Sequence, residues 1–179
     1  MAKSDSFFIR ASVLVDDSAT FASANIDLGA YVDALGKSVL RIHNVSASIT
    51  TGVGAADGEG VAPKMDAGLG DSCSWQITTQ DQTGMVLPAN RAVVSSGSVW
   101  AFNQDGLSSA PAQAYEADML PQEWTNGYLV AVESMQLGAS AGGNWAATAN
   151  LTVSVVLECT VETMTQAAAM ALALSQQGN

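Results

Sequence analysis

One segment near the end of the chain alternates between apolar and polar side chains for more than a dozen residues. In residues 150–162 the apolar side chains recur at every second position, and Val156 is the one apolar residue between them. The recurring set is Leu151, Val153, Val155, Leu157, Cys159 and Val161. Side chains of a β-strand point alternately to its two faces, so this period of two predicts a strand with one buried face. A chain with such a strand needs a sheet that covers an apolar core.

The same period appears elsewhere. It recurs in residues 7–15, where Phe8 and Leu14 make the second face apolar too, so that both faces of this strand could be covered. We predict further strands at residues 24–28, 38–50, 73–79, 92–102 and 128–137. The alternation in residues 38–50 shifts near Arg41–Asn44, which predicts a bulge or a bend. Together with short strands in the connecting segments, the chain is expected to hold about eight strands in a β-sandwich or barrel.

Two segments do not show a strand pattern. Residues 51–71 are rich in Gly, Ala and Asp and are predicted to form a long loop. Residues 163–179 form a tail in which 166–176 are strong helix formers, so we predict a short C-terminal helix that docks on its own domain or on a neighbour. Nothing divides the chain, and residues 1–179 are therefore expected to form a single domain.

Charge limits the possible partners. Charged residues make up 13% of the chain, with 17 acidic and 6 basic residues and a net charge of −11. The basic residues occur singly, whereas nucleic acids and anionic membranes are bound by several cations together. We therefore expect no direct nucleic-acid binding. A surface with so few ions is inexpensive to desolvate, which favours association with other protein chains.

Candidate catalytic residues are few. The single histidine, His43, lies in a predicted strand without an obvious orienting carboxylate, so we interpret it as structural rather than catalytic. Cys73 and Cys159 lie in alternating apolar segments and are expected to be buried thiols, although a disulfide between them remains an alternative. Neither a metal-ligand set nor a phosphate-binding loop is present in the pattern. We expect no catalytic residue and no cofactor, and hence not an enzyme.

Two groups of acidic residues are candidate sites. The carboxylates Asp57, Glu59, Asp66 and Asp71 cluster in the predicted loop. Oxygen-rich loops can hold Ca²⁺, but the spacing matches no EF-hand, and a solvated loop is the simpler interpretation. Glu116, Asp118 and Glu123 precede Trp124 and Tyr128. That arrangement is found in glycosidases and carbohydrate-binding surfaces, but packing of Trp124 explains it more simply.

The order of the segments resembles a known family. An N-terminal strand opens at FFIRASVLV, and IDLGAYVDALGKSVLRIHNV leads into a long strand. Later, GYLVAVESMQL precedes the final long strand NLTVSVVLECTVE. This layout is similar to the single jelly-roll major capsid proteins of icosahedral viruses that infect bacteria or archaea, in which the barrel stands upright on the shell. The resemblance implies an all-β single jelly roll of antiparallel strands.

The resemblance also implies a function and partners. It implies a structural protein that forms capsomers with copies of itself or with a sister capsid protein, over an internal viral membrane in some members. The first ten residues show no apolar core of a secretory signal, so we expect synthesis in the host cytoplasm and a final place in the virion shell. Two alternatives remain: a carbohydrate-binding β-sandwich that uses Trp75, Trp100, Trp124 and Trp145, and a phage tail or head-decoration protein.

Overall fold

A computed structural model gives the architecture of the chain. It describes residues 4–15, 21–33, 35, 37–51, 63–65, 69–103, 110, 111, 113–118, 124–145 and 150–177. Within these residues the strands are β1 (Phe7–Val15), β2 (Ala22–Asp27), β3 (Ser38–Thr51), β4 (Lys64–Met65), β5 (Gly70–Thr78), β6 (Val93–Phe102), β7 (Ala110–Pro111), β8 (Gln113–Asp118), β9 (Tyr128–Val130), β10 (Ser134–Ala141) and β11 (Leu151–Thr163), and the helix is α1 (Gln166–Gln177).

Two antiparallel sheets dominate the structure. The first sheet has the strand order β1-β11-β3-β9, and the second has the order β2-β10-β5-β6-β8. The short strands β4 and β7 pair with each other. The strongest sequence pattern lies at the centre of the first sheet, because β11 pairs with β1 on one side and with β3 on the other.

The strand pairing identifies the fold. Eight strands remain when β4, β7 and β8 are set aside, and the first of them pairs with the eighth, β1 with β11. The second pairs with the seventh (β2 with β10), the third with the sixth (β3 with β9) and the fourth with the fifth (β5 with β6). The chain is therefore one long hairpin rolled into two facing sheets, which is a jelly roll. The predicted all-β jelly roll with a C-terminal helix is confirmed.

The core lies between the two sheets. The inward positions of β11 are at most 1% exposed from Leu151 to Cys159, as their alternation predicted. They meet Ile77, Met135 and Leu137 of the second sheet, which are equally buried. Burying a side chain of this size stabilises the fold by about 1.5–3 kcal/mol relative to leaving it exposed. The hydrophobic effect thus accounts for the packing of the two sheets against each other.

One predicted strand is wrong. Residues 128–137 form two strands in different sheets, β9 and β10, rather than one. Tyr128 and Val130 point to the core from the first sheet, whereas Met135 and Leu137 point to it from the second. The inward phase therefore shifts from even to odd positions between Val130 and Met135. That shift marks the point where the chain crosses between sheets.

The predicted irregularity in the third strand is confirmed. Glu158 of β11 pairs with Asn44, and the next residue, Cys159, pairs with Ile42. His43 is therefore the extra residue of a β-bulge, a feature that bends a strand and reorients a side chain. The bulge allows Val45 and Ile42 to face the core together although they are three positions apart.

The predicted long loop is only partly a loop. Strand β3 continues to Thr51, Lys64–Met65 is a strand, and β5 begins at Gly70. Residues 52–62 and 66–68 lie outside the described part of the chain. The short strand β4 was missed because two residues are too few to show a periodic pattern.

Helix α1 packs on the outer side of the first sheet. Ala169 and Ala173 are buried against Val39 and Ala131, on the face opposite to the main core. The Oε1 atom of Gln176 accepts a hydrogen bond from the Ala131 N–H (2.9 Å), and its Nε2 donates to the Leu129 carbonyl (2.7 Å). A 12-residue helix is marginal in isolation, so this docking stabilises it. Of the helices described, none is long and apolar enough to cross a membrane.

Candidate interaction surface

The outer face of the first sheet is covered by α1 at one end and uncovered at the other. At the uncovered end, three strands present side chains that are exposed or half-buried. We call this surface the open face. It consists of Phe8, Arg10, Ser12 and Leu14 on β1, Thr152, Ser154, Val156 and Glu158 on β11, and Asn44, Ser46, Ser48 and Thr50 on β3.

The open face is almost uncharged, and its three apolar side chains, Phe8, Leu14 and Val156, lie among small polar ones. Phe8 is 54% exposed and Leu14 is 44% exposed, so both present apolar surface to solvent. One cation, Arg10, and one anion, Glu158, balance each other in a chain whose net charge is −11. The guanidinium carbon of Arg10 lies 5.6 Å from the centroid of the Phe8 ring. A neutral face of this kind can be buried against another protein with little cost of desolvating ions.

The covered end of the same face contains a partly buried ion pair. Arg41 binds Glu162 through two hydrogen bonds, Nε to Oε1 (2.7 Å) and Nη2 to Oε2 (2.8 Å), and it also donates to the Asn126 carbonyl. The hydrogen bond to Glu162 raises the pKa of Arg41 above its ordinary value, partly offset by burial. This bidentate geometry is the strongest form of an Arg–carboxylate contact. The hydrogen bond from Arg41 to the Asn126 carbonyl fixes the segment before β9 onto the sheet.

His43 lies beside this ion pair. Its Nε2 atom is 2.9 Å from the Thr160 hydroxyl, and Arg41, His43 and Glu162 line a shallow cavity of about 390 Å³. Glu162 is committed to Arg41, and the hydrogen-bond partner of the ring is a hydroxyl rather than a carboxylate. The geometry therefore does not show the base–carboxylate pair that nucleophilic catalysis uses. The structural interpretation of His43 stays a prediction.

Three of the four candidate calcium ligands, Asp57, Glu59 and Asp66, lie outside the described residues, so the calcium hypothesis stays a prediction. Asp71 accepts hydrogen bonds from the backbone N–H groups of Ser72 (2.7 Å) and Asn144 (3.0 Å). Its carboxylate thus fastens the turn after β10 to the start of β5. Within the described ranges, no group of three His, Cys, Asp or Glu side chains could hold a metal ion.

The carbohydrate hypothesis required several exposed tryptophans. Trp75 and Trp145 are buried (6% and 4% exposed), and Trp124 is half-buried beside Tyr128. Trp100 is exposed (48%) and stacks on Phe102. The acidic residues of the same hypothesis, Glu116, Asp118 and Glu123, have side chains outside the part of the chain that the structure describes. One exposed indole does not form the flat platform of several rings that the hypothesis predicted.

Both thiols are buried as predicted. Cys73 and Cys159 are 0% exposed, lie in different sheets and are not bonded to each other. Burial raises the pKa of each thiol to about 12, and the nearby carboxylates Asp71 and Glu158 add to the shift. A thiol with such a pKa is a poor nucleophile at neutral pH, because the thiolate is the reactive form.

A groove on the second sheet was missed by sequence reasoning. Residues 82–88 fold over the outer side of that sheet, where the amide of Gln76 binds the Val86 N–H and the Gly84 carbonyl. Gln136 binds both the N–H and the carbonyl of Gln82. Between this segment and the strands lies a groove of about 520 Å³, with an apolar wall that includes Met85 and a floor of serines. The alternation of apolar residues did not indicate that Gln76 and Gln136 are buried, because glutamine is polar and is usually exposed.

Comparison with known proteins gives structural neighbours alone. No protein-family model matches the chain, and no curated protein matches it. A structure of Desmodium yellow mottle tymovirus is similar over 89% of this chain and 87% of that chain, at 8% identity and a TM-score of 0.35. VP1 of trichodysplasia spinulosa-associated polyomavirus, in complex with GM1 oligosaccharide, matches over 89% and 94% at 10% identity and a TM-score of 0.38.

A third neighbour is the Merkel cell polyomavirus virus-like particle. It matches over 92% of this chain and 75% of that chain, at 6% identity and a TM-score of 0.35. These neighbours are viral jelly-roll capsid proteins. Since every one of these TM-scores is below 0.5, the fold assignment rests on the strand pairing described above.

Proposed function

We propose that this chain is a structural viral capsid protein that assembles with copies of itself into capsomers of an icosahedral shell. Jelly rolls serve as capsid, lectin and cupin domains, so the fold alone does not select among them. The observation that carries the proposal is the open face. Copies with a net charge of −11 repel one another, and they can meet most easily where the surface has no net charge.

The core of the jelly roll supports a structural role. The inward side chains between the sheets are apolar, and the buried thiols have pKa values raised to about 12. The core between the sheets is stabilised by apolar packing and does not contain a cluster of titratable groups in the described part of the chain. We therefore propose no catalytic activity for the chain.

The finer parts of the proposal come from the resemblance of the strand layout. The host is a bacterium or an archaeon, and the protein is made in the host cytoplasm and ends in the virion shell. A sister capsid protein and a membrane beneath the shell belong to the same proposal. Direct contact with the genome does not, because the six basic residues occur singly along the sequence.

Particle mass tests the proposal. The chain should be isolated from its native source and examined by analytical ultracentrifugation and negative-stain electron microscopy over a range of concentrations. Discrete capsomers or shells are expected. A chain that stays monomeric at the highest concentration reached would overturn the proposal. Binding to a glycan array by the monomer would instead support the carbohydrate-binding alternative.

A further inference from the structure

We propose that two copies of the chain join through their open faces in a symmetric contact, in which Arg10 of each copy opposes Glu158 of the other. The proposal rests on the self-assembly inferred above, and it names the surface and the charge pair that perform it.

The strand register sets the geometry. Phe8 lies opposite Glu158, and Arg10 lies opposite Val156 in the next outward row. Arg10 and Glu158 are thus diagonal neighbours on one face, where side chains of this length come close. In the described part of the chain they form no ion pair with each other, and Arg10 lies over the Phe8 ring instead. Each charge is therefore available to an opposite charge from another chain.

Symmetry turns this arrangement into complementarity. In a two-fold contact the same surface is used by both copies, so every pair that forms is formed twice. A face that carries one cation and one anion in adjacent rows matches its own rotated copy, and two ion pairs result. Phe8 and Val156 lie in the same two rows and supply apolar area between the pairs. The remaining side chains of the open face are mainly small and hydroxyl-bearing, which permits close approach.

The size of the open face sets the strength of the contact. Three strands spaced about 4.8 Å apart, over seven residues of β1, span roughly 300 Å² per copy. A standard interface buries about 800 Å² per partner. The contact is therefore weak on its own, which suits a shell in which each subunit makes several contacts at once.

A charge swap tests the proposal. Sedimentation equilibrium of the full chain, up to about 1 mM, would give the dissociation constant of the dimer for the wild type, Arg10→Glu, Glu158→Arg and the double variant. We expect each single variant to weaken association by about tenfold, because two ion pairs become like-charge contacts. The double variant should return to within about threefold of the wild type.

Net charge provides the decisive control. Arg10→Glu makes the chain more acidic and Glu158→Arg makes it less acidic, so general repulsion predicts opposite effects and the ion pair predicts that both weaken association. Arg91→Glu changes the charge as Arg10→Glu does, at an exposed position away from the open face, and should have little effect. Circular dichroism melting curves would verify that all four variants fold.

In sedimentation equilibrium, three results would overturn the inference: a wild type that shows no dimer, tighter association of Glu158→Arg, or a double variant as weak as the single ones. Normal capsomers from both single variants would also overturn it while leaving the proposed capsid function intact. Absence of any assembly, in contrast, would remove the proposed function itself.

Discussion

Glu158 and Glu162 lie on the same strand and the same outward face, and they have different environments. Glu162 is 6% exposed and is held by both arms of the Arg41 guanidinium. Glu158 is half-buried on the open face and is not paired with Arg10 in the described part of the chain. The difference arises because α1 and the segment before β9 cover one end of the outer face of this sheet. An alternating pattern therefore determines which side faces the core, but not what covers the other side.

The two ends of this face serve different purposes. At the covered end, a partly buried ion pair compensates its desolvation only when both partners are present. At the open end, exposed apolar and singly charged side chains contribute little to the stability of one chain but are suited to contact between chains. Substitutions along β11 should therefore separate stability from association.

The inner side of the strand should give the largest effect. Leu157→Ala removes a side chain that is 0% exposed in the centre of the core. We expect a loss of about 3–5 kcal/mol in the free energy of unfolding, from the lost burial and the cavity left behind. Val156→Ala, one residue away on the open face, should lose less than about 1 kcal/mol. Urea denaturation of both variants measures the contrast, and equal losses would contradict the assignment of faces.

The buried thiols make stability depend on pH. Their pKa is raised from 9.0 to about 12 in the folded chain, so above pH 9 the unfolded chain releases protons that the folded chain retains. Stability should therefore be complete below pH 9 and fall as pH rises towards 12. At pH 10 each thiol should cost about 1.4 kcal/mol relative to neutral pH.

Denaturation at pH 8 and pH 10 measures this effect. The matched control is the double variant Cys73→Ala and Cys159→Ala, whose stability should change less between the two pH values although its absolute stability is lower. The comparison of the two slopes removes the contribution of other titrating groups. Equal slopes in wild type and variant would show that the thiols are not buried as described.

The two glutamates should give the smallest effect and the most direct comparison. Glu162→Gln removes the charge that faces Arg41 and should lower the free energy of unfolding by about 1–2 kcal/mol. Glu158→Gln should change it by less than about 0.5 kcal/mol. Thermal unfolding of both variants at neutral pH measures the difference. If Glu158→Gln proved the more destabilising, the assignment of covered and open ends would be wrong.

Sequence reasoning recovered most of the strands because each long strand faces one core. The strands at Phe7–Val15 and Leu151–Thr163, and the bulge at His43, follow from alternation and its interruption. The crossing between β9 and β10 was missed, although the inward phase shifts between Val132 and Met135. The bond between Arg41 and Glu162 joins residues 121 positions apart, and no local pattern links them.

The sequence by itself determined the β-class of the fold, the inward residues of its long strands, the C-terminal helix and the low surface charge. These depend on local periodicity and composition, which each segment carries alone. Only the tertiary structure decided that α1 covers one end of the first sheet, that residues 82–88 cover part of the second, and that the open face stays uncovered. Coverage depends on which distant segments meet, and that is set by the packing of the whole chain.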